Sequence, residues 1–288
     1  MKTKAPETAA TAVLSDPIDE AILAAYEQAG AIVVRGLIGP EWIARLRGSY
    51  GDMAASAYAP FVKGGKAEPG MRQLTQRHAM WADDESFRVF LFESPIARAA
   101  ARLMRSATAG LYEDILITEP AGGQAALSYH QDEPTWPVIG RQLSSVWFSL
   151  EPVGTESGAM RFVSGSHRGP MYHPKYVKPG EVGDDVRFWA GGVFPEIDED
   201  GQDWTVILTE TEPGDAVIFH PRAIHSAYGS SPDHARRSFT IRFLGDDVRW
   251  QPKQRIFHRW MHELGLKEGD RIVHPRLPMV WKADAVPA

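Results

Sequence analysis

His130-x-Asp132 constrains this chain more than any other feature of its sequence. The run Leu127-Ser128-Tyr129-His130 reads as a β-strand, and on a strand residues two apart leave the same face. An imidazole and a carboxylate at that spacing can therefore converge on one point. A His nitrogen with an Asp oxygen is a mixed donor pair suited to a divalent transition metal. Taken alone, the pair reads more simply as a polar strand end with a surface hydrogen bond.

A second cluster changes the balance. Gly214-Asp-Ala-Val-Ile-Phe-His-Pro-Arg-Ala-Ile-His-Ser226 carries an apolar strand from Ala216 to Phe219, then a Pro-bearing turn into His225. Two His and one carboxylate make the facial triad of non-haem iron(II) oxygenases, which leaves three metal positions open. A 2-oxoacid fills two of them and O2 the third. A buried Arg nearby can hold the far carboxylate of that oxoacid through two parallel hydrogen bonds. Arg236 and Arg237 both follow in a strand-like run, and only one of two adjacent strand residues can face the site. His220 and His225 compete for the second imidazole position.

Several further segments match a known family in order. They are Tyr129-His-Gln-Asp132, Ser145-Val-Trp-Phe-Ser-Leu-Glu-Pro152, Ser157-Gly-Ala-Met-Arg-Phe-Val-Ser-Gly-Ser-His-Arg168, Pro213-Gly-Asp-Ala-Val-Ile-Phe-His220, Ile224-His225 and Arg236-Arg-Ser-Phe-Thr-Ile-Arg242. Together they resemble a bacterial phytanoyl-CoA dioxygenase family member, across about residues 30 to 245. The resemblance implies a mainly β fold with flanking helices, a double-stranded β-helix or jelly roll of two facing antiparallel sheets.

It also implies Fe(II) held by His130, Asp132 and His225, with 2-oxoglutarate as co-substrate and O2 as oxidant. Arg236 is implied as the clamp on the oxoacid, with Trp147 and Gln76 beside it. Ala227 stands where the family often has a hydroxyl residue, so one co-substrate contact is missing. Halogenating relatives lack the carboxylate ligand, and the presence of Asp132 argues against that chemistry. The expected reaction is hydroxylation of a small organic molecule with release of succinate and CO2. Trp136 stands where an ectoine-hydroxylating member has a substrate-lining Trp. Glu133-Pro134 and Pro137 depart from that member's signature, so Trp136 and Tyr129 imply an aromatic wall rather than ectoine itself. A cupin-like metalloenzyme without an oxoacid, such as an isomerase, or a non-catalytic binding protein on the same fold are the alternatives.

The 288 residues suit one large domain, here 16–288 behind a flexible lead-in of residues 1–15. A net charge of −6 without a Lys/Arg block argues against a nucleic-acid surface. No apolar run is long enough to cross a bilayer, and the first residues hold no secretion signal. The absence of Cys excludes disulfides and thiolate catalysis and fits a cytoplasmic protein. Either a monomer or a homodimer is compatible with the sequence.

Local patterns fill in the rest. Asp16-Pro17 reads as the cap and first residue of a helix with Ile22, Leu23 and Tyr26 as its stripe. Ala31 to Leu37 reads as a strand, and Pro40 opens a second helix to about Ser49. Ser94-Pro95 caps another. Ser144 to Leu150 alternates with period two, so Ser145, Trp147 and Ser149 share one face and Val146, Phe148 and Leu150 the other. The stretches 58–81 and 169–203 are long and Gly-bearing, and substrate selection is expected there.

Overall fold

The computed structural model describes residues 7–8, 11–12, 18–55, 75–122, 126–173, 191–201, 203–229, 231–252 and 259–283. Two short edge strands come first, β1 (Glu7–Thr8) and β2 (Thr11–Ala12), followed by α1 (Glu20–Ala29), β3 (Ala31–Val34) and α2 (Pro40–Ala55). Next are β4 (Thr75–His78), α3 (Met80–Asp83), α4 (Glu85–Glu93), α5 (Ile96–Leu103) and the long β5 (Thr108–Glu119). The metal-motif region holds β6 (Leu127–His130), β7 (Val138–Ile139), β8 (Leu143–Ser149) and β9 (Met160–Val163). The chain closes with β10 (Val206–Thr209), β11 (Ala216–Phe219), β12 (His225–Ala227), β13 (Arg236–Leu244), β14 (Arg249–Trp250) and β15 (Met279–Lys282).

Local chemistry explains most boundaries. The cap of α1 is Asp19, whose side chain accepts the Ile22 N–H at 2.9 Å. Asp16 and Pro17, expected to start the helix, lie outside the described residues. Gly30 ends α1 at φ +83, a left-handed conformation that costs glycine little. Pro40 opens α2 as expected, where its missing N–H is no loss, but the helix runs to Ala55 rather than Ser49. Ser94 does not cap α5, which begins at Ile96 without a side-chain cap. The lead-in, expected to be flexible, contributes the parallel edge pairs of β1 with β10 and β2 with β3.

Two sheets face each other. The larger runs β15-β5-β13-β8-β11-β3-β2, with β4 also on the β5 edge, and the smaller runs β1-β10-β9-β12-β6. Period-two alternation sorts the larger sheet into two rows. Val146, Phe148, Phe239, Ile241 and Phe243 point outward and are buried under the helices with Phe87 and Phe90. Phe148 and Phe239 stack there at 4.9 Å between ring centroids. Trp147, Val217 and Phe219 point inward and meet Phe162 and Met160 of the smaller sheet. Each such buried aliphatic or aromatic side chain contributes about 1.5–3 kcal/mol. The sandwich therefore has one core between the sheets and one beneath the helices, as the alternation at 144–150 implied.

A third core closes one end. Trp136, Tyr112 and Val138 pack there with Val248, Trp250, Leu264 and Leu277 from the last part of the chain. Much of the two expected specificity stretches, residues 56–74 and 174–190, lies outside the described residues. The described return of the second stretch lies on the outer face of the smaller sheet, where Phe194, Ile197 and Trp204 cover Val163 and Ile224. Among the described residues no helix is long and apolar enough to cross a membrane.

Candidate active site

His130 ends β6 and His225 begins β12, and the two are directly opposed across the antiparallel pair. Cross-strand neighbours of this kind share a face, and the ring centroids lie 4.2 Å apart on the inner side. Each Nδ1–H donates to a carbonyl two residues back, His130 to Ser128 and His225 to Ala223, both at 2.9 Å. Those bonds fix the tautomer and leave each Nε2 lone pair for a metal.

Asp132 joins them by a different route from the one its spacing suggested. The strand stops at His130, and Asp132 stands in helical conformation at the head of a short 3-10 turn, Glu133–Thr135. The backbone N–H groups of Asp132 and Glu133 both donate to the Pro221 carbonyl, at 2.9 and 3.1 Å. The carboxylate still reaches the imidazoles, with Oδ1 3.5 Å from His130 Nε2. One ligand atom from each of His130, Asp132 and His225 lies within 4.8 Å of the others.

The electrostatics suit ligation. Burial, followed by the nearby His130, pushes His225 down to about 4, so its imidazole is neutral near pH 7. Burial alone would raise the Asp132 carboxyl, but Arg242 and the His130 hydrogen bond outweigh it and hold the group below the usual carboxylate range. Two imidazole nitrogens and one carboxylate oxygen fit a ferrous ion with positions to spare. His220 takes no part: its ring bonds the Arg141 carbonyl and the Arg222 N–H.

Across the sandwich, β13 presents Arg236 inward and Arg237 outward. Arg237 pairs with Glu151 and lies over Tyr50. Arg236 pairs with the fully buried Glu119, donates to the Gly158 carbonyl at 2.5 Å and sits 5.7 Å from the Trp147 ring. Gly158 permits this approach, since a Cβ there would lie 2.1 Å from Arg236 Nη1. Gln76 on β4 opposes Ile117, one row along the inner face from Glu119. Arg236, Trp147 and Gln76 thus share the inner face of the larger sheet.

Two expectations fail. Tyr129, the neighbour of His130, points to the outer face of the smaller sheet, where the Arg161 guanidinium lies 5.4 Å from its ring. Strand parity requires this: if His130 faces in, Tyr129 faces out. Trp136 does not form an open wall either. It is 1% exposed, against Tyr112 at 4.7 Å, and meets the centre through Arg242, whose guanidinium lies 5.2 Å from its ring.

Other residues of the site had gone unmarked. Arg242, six residues beyond Arg236, faces inward and bonds both Glu113 and Asp132. Glu113 in turn meets His78 at 2.7 Å. Gln131, between the two ligands, donates to the Pro170 and Arg222 carbonyls and accepts the Tyr172 N–H. It ties the ligand-bearing turn to the start of the 169–203 excursion. One signal was available: Glu113 and Glu119 carry the same six-residue spacing as Arg236 and Arg242.

Comparison with known proteins agrees with this geometry. Among curated proteins, a probable phytanoyl-CoA dioxygenase of Caenorhabditis elegans is 27% identical over 123 residues, 41% of this chain and only 36% of that protein. The peroxisomal phytanoyl-CoA dioxygenase of Rattus norvegicus is 22% identical over 241 residues, covering 78% of this chain and 68% of the rat protein. The crystal structure of the non-heme alpha ketoglutarate dependent carbocyclase SnoK, from nogalamycin biosynthesis, has the same fold. It superposes with a TM-score of 0.71 at 17% identity, over 94% of this chain and 99% of SnoK. The phytanoyl-CoA dioxygenase (PhyH) pattern itself matches residues 26–238. The chain therefore belongs to the phytanoyl-CoA dioxygenase family of iron- and 2-oxoglutarate-dependent oxygenases.

Proposed function

We propose that this chain hydroxylates a small organic molecule, using Fe(II), 2-oxoglutarate and O2 and releasing succinate and CO2. The observation that carries the reading is the convergence of His130, Asp132 and His225, with Arg236 turned inward on the larger sheet beside Glu119 and Trp147. When bound, iron with the oxoacid supplies dioxygen chemistry able to attack an unactivated C–H bond.

The chain's own residues supply position and charge. His130 and His225 aim Nε2 inward because their Nδ1–H groups are tied to carbonyls. Asp132 stays anionic, so its carboxylate needs no proton loss before metal enters. Arg236 offers the far carboxylate of the oxoacid a planar cation held rigid by Glu119 and the Gly158 carbonyl. Trp147 walls that pocket, and Gln76 lies on the same face. The apolar layer of Phe162, Phe219 and Val217 behind the imidazoles limits water. Arg236 has no purpose of this kind in a cupin-like isomerase, which favours the oxygenase.

On this reading residues 16–288 act as one catalytic domain in the cytoplasm, with substrate selected around 58–81 and 169–203. The test is an anaerobic titration of metal-free protein with Fe(II) and 2-oxoglutarate. A weak visible charge-transfer band requiring both additions is expected, with none in His225→Ala. Absence of the band in the unaltered protein overturns the proposal. Substrate-stimulated succinate release from a small-molecule library then identifies the substrate.

A further inference from the structure

We propose that Arg242 is a positioning residue that holds Asp132 as a one-oxygen metal ligand. This rests on the metal-centre reading above and goes beyond it.

The need for such a residue follows from the backbone. A carboxylate on a regular strand has its direction set by the pleat, but Asp132 lies two residues past the end of β6, at the head of the 3-10 turn. Its side chain is therefore not aimed by the strand that aims His130. Arg242 supplies the aim. Its Nη2 donates to Asp132 Oδ2 at 2.9 Å, while Oδ1 turns toward His130 Nε2 at 3.5 Å. One oxygen is engaged by the guanidinium and the other faces the imidazoles. A carboxylate gripped in this way binds metal through a single oxygen. A bidentate Asp would take one more coordination position, leaving too few for a chelating oxoacid and dioxygen.

Arg242 is itself held by Glu113 and by the Trp136 ring, and Glu113 is held in turn. Glu113, its register partner across β5 and β13, accepts from Nη1 at 2.5 Å. His78 meets the other Glu113 oxygen at 2.7 Å. The Trp136 ring lies 5.2 Å from the guanidinium carbon, within the range of a cation–π contact. Charge is balanced as well as position. One cation between two carboxylates leaves the group as negative as Asp132 would be alone. Arg242 therefore fixes direction without stripping the centre of the charge that attracts a divalent ion. The same arrangement recurs six residues away, where Arg236 pairs with Glu119. The larger sheet thus carries a two-rung Arg–Glu ladder, with one rung toward the oxoacid and the other toward the metal carboxylate.

Cobalt(II) is the probe, because its visible absorption reports coordination number and its binding needs no turnover. The protein is titrated with Co(II) in the absence of 2-oxoglutarate. The pair Arg242→Met/Glu113→Gln removes both charges and so leaves neither buried and unpaired. It is expected to weaken Co(II) binding by about 10–100-fold, the usual effect of losing a partner that orients a ligand, and to change the visible spectrum. Arg242→Lys keeps a cation beside Glu113 but cannot bridge two carboxylates, so it is expected to lose affinity in the same direction. It serves as the reading if the pair does not fold. The matched control is Arg237→Met/Glu151→Gln, which deletes the outward-facing Arg–Glu pair of the same strand and is expected to leave Co(II) affinity and spectrum unchanged. Wild-type affinity and spectrum in the Arg242 variants overturn the inference. So does an equal loss in the control, which would make the effect one of sheet stability. If the unaltered protein and His225→Ala bind Co(II) alike, it is the metal-centre reading that fails.

Discussion

Replacing Arg236 tests fold and function at once, because its partner Glu119 is fully buried. Arg236→Ala removes the ion pair to Glu119 and the bonds to the Gly158 and Ser157 carbonyls, at 2.5 and 3.3 Å. It also leaves a carboxylate in the sandwich without its main counter-charge. Breaking a buried pair from one side costs about 3–5 kcal/mol. Against a typical total stability of about 5–15 kcal/mol, that is a large fraction. Replacing both partners, as Arg236→Met/Glu119→Gln, strands no charge and is expected to cost no more than roughly 2 kcal/mol. The assay is denaturant unfolding of metal-free protein without oxoacid, with wild type, both singles and the double completing a cycle.

The two functions of Arg236 separate in the double variant. Its stability is largely restored, yet the clamp on the oxoacid is gone. Losing one partner of a buried charge pair at a binding site costs about 2–5 kcal/mol. At about 1.4 kcal/mol per tenfold, oxoacid affinity falls by roughly 30-fold to a few thousand-fold. A loss below about 1 kcal/mol for Arg236→Ala would refute the buried-pair argument, as would a double variant no more stable than that single. A double variant that binds 2-oxoglutarate like the wild type, read by the charge-transfer band, would refute the clamp.

Two further expectations concern stability alone. Asp114 is buried on β5 and accepts the Trp81 N–H, and burial pushes its carboxyl up to about 7. Its folded value lies above the unfolded one near 4, so the contribution of Asp114 to stability is full below pH 4 and falls as pH rises to 7, by roughly 4 kcal/mol at most. Asp114→Asn keeps the acceptor and is expected to flatten this trend, and parallel pH–stability curves for the two proteins would contradict it. Trp136→Ala, first expected to weaken substrate binding, is expected instead to cost about 3–5 kcal/mol by opening a cavity beside Tyr112 and Trp250. A stable variant with selectively lost substrate affinity would restore the original role.

What the sequence revealed and what it hid divide along the reach of each physical signal. Alternation over Ser144–Leu150 needs only neighbouring residues, and it separated Trp147 from Phe148 onto the two faces that the two cores occupy. The same parity turns Tyr129 away from His130, which resemblance to the family pattern does not convey. Asp132 leaves the strand where Pro134, the second residue of the 3-10 turn, marks its end, a local signal that the His-x-Asp spacing does not carry. Trp136 was misplaced for a longer-range reason. Its partners Trp250, Leu264 and Leu277 lie more than a hundred residues on, and no local pattern announces them.

The Arg–Glu ladder shows why pairing is the harder inference. Equal six-residue spacings at Glu113/Glu119 and Arg236/Arg242 are visible in the sequence, and each set shares one face if its segment is a strand. Complementary charge becomes contact only if β5 and β13 are antiparallel neighbours in the register that sets Glu119 against Arg236 and Glu113 against Arg242. Any slip by one residue would turn every partner to the opposite face. Register is strongly specified where one face is buried, and here the outward rows are fixed by Phe239, Ile241 and Phe243 under the helices. The helix-side core thus sets the alignment that the active-site charges depend on. A slip would turn three aromatic or aliphatic side chains toward the active-site face and bury the Arg side chains beneath the helices. The apolar outer row and the charged inner row of β13 therefore enforce the same register from opposite faces of one strand.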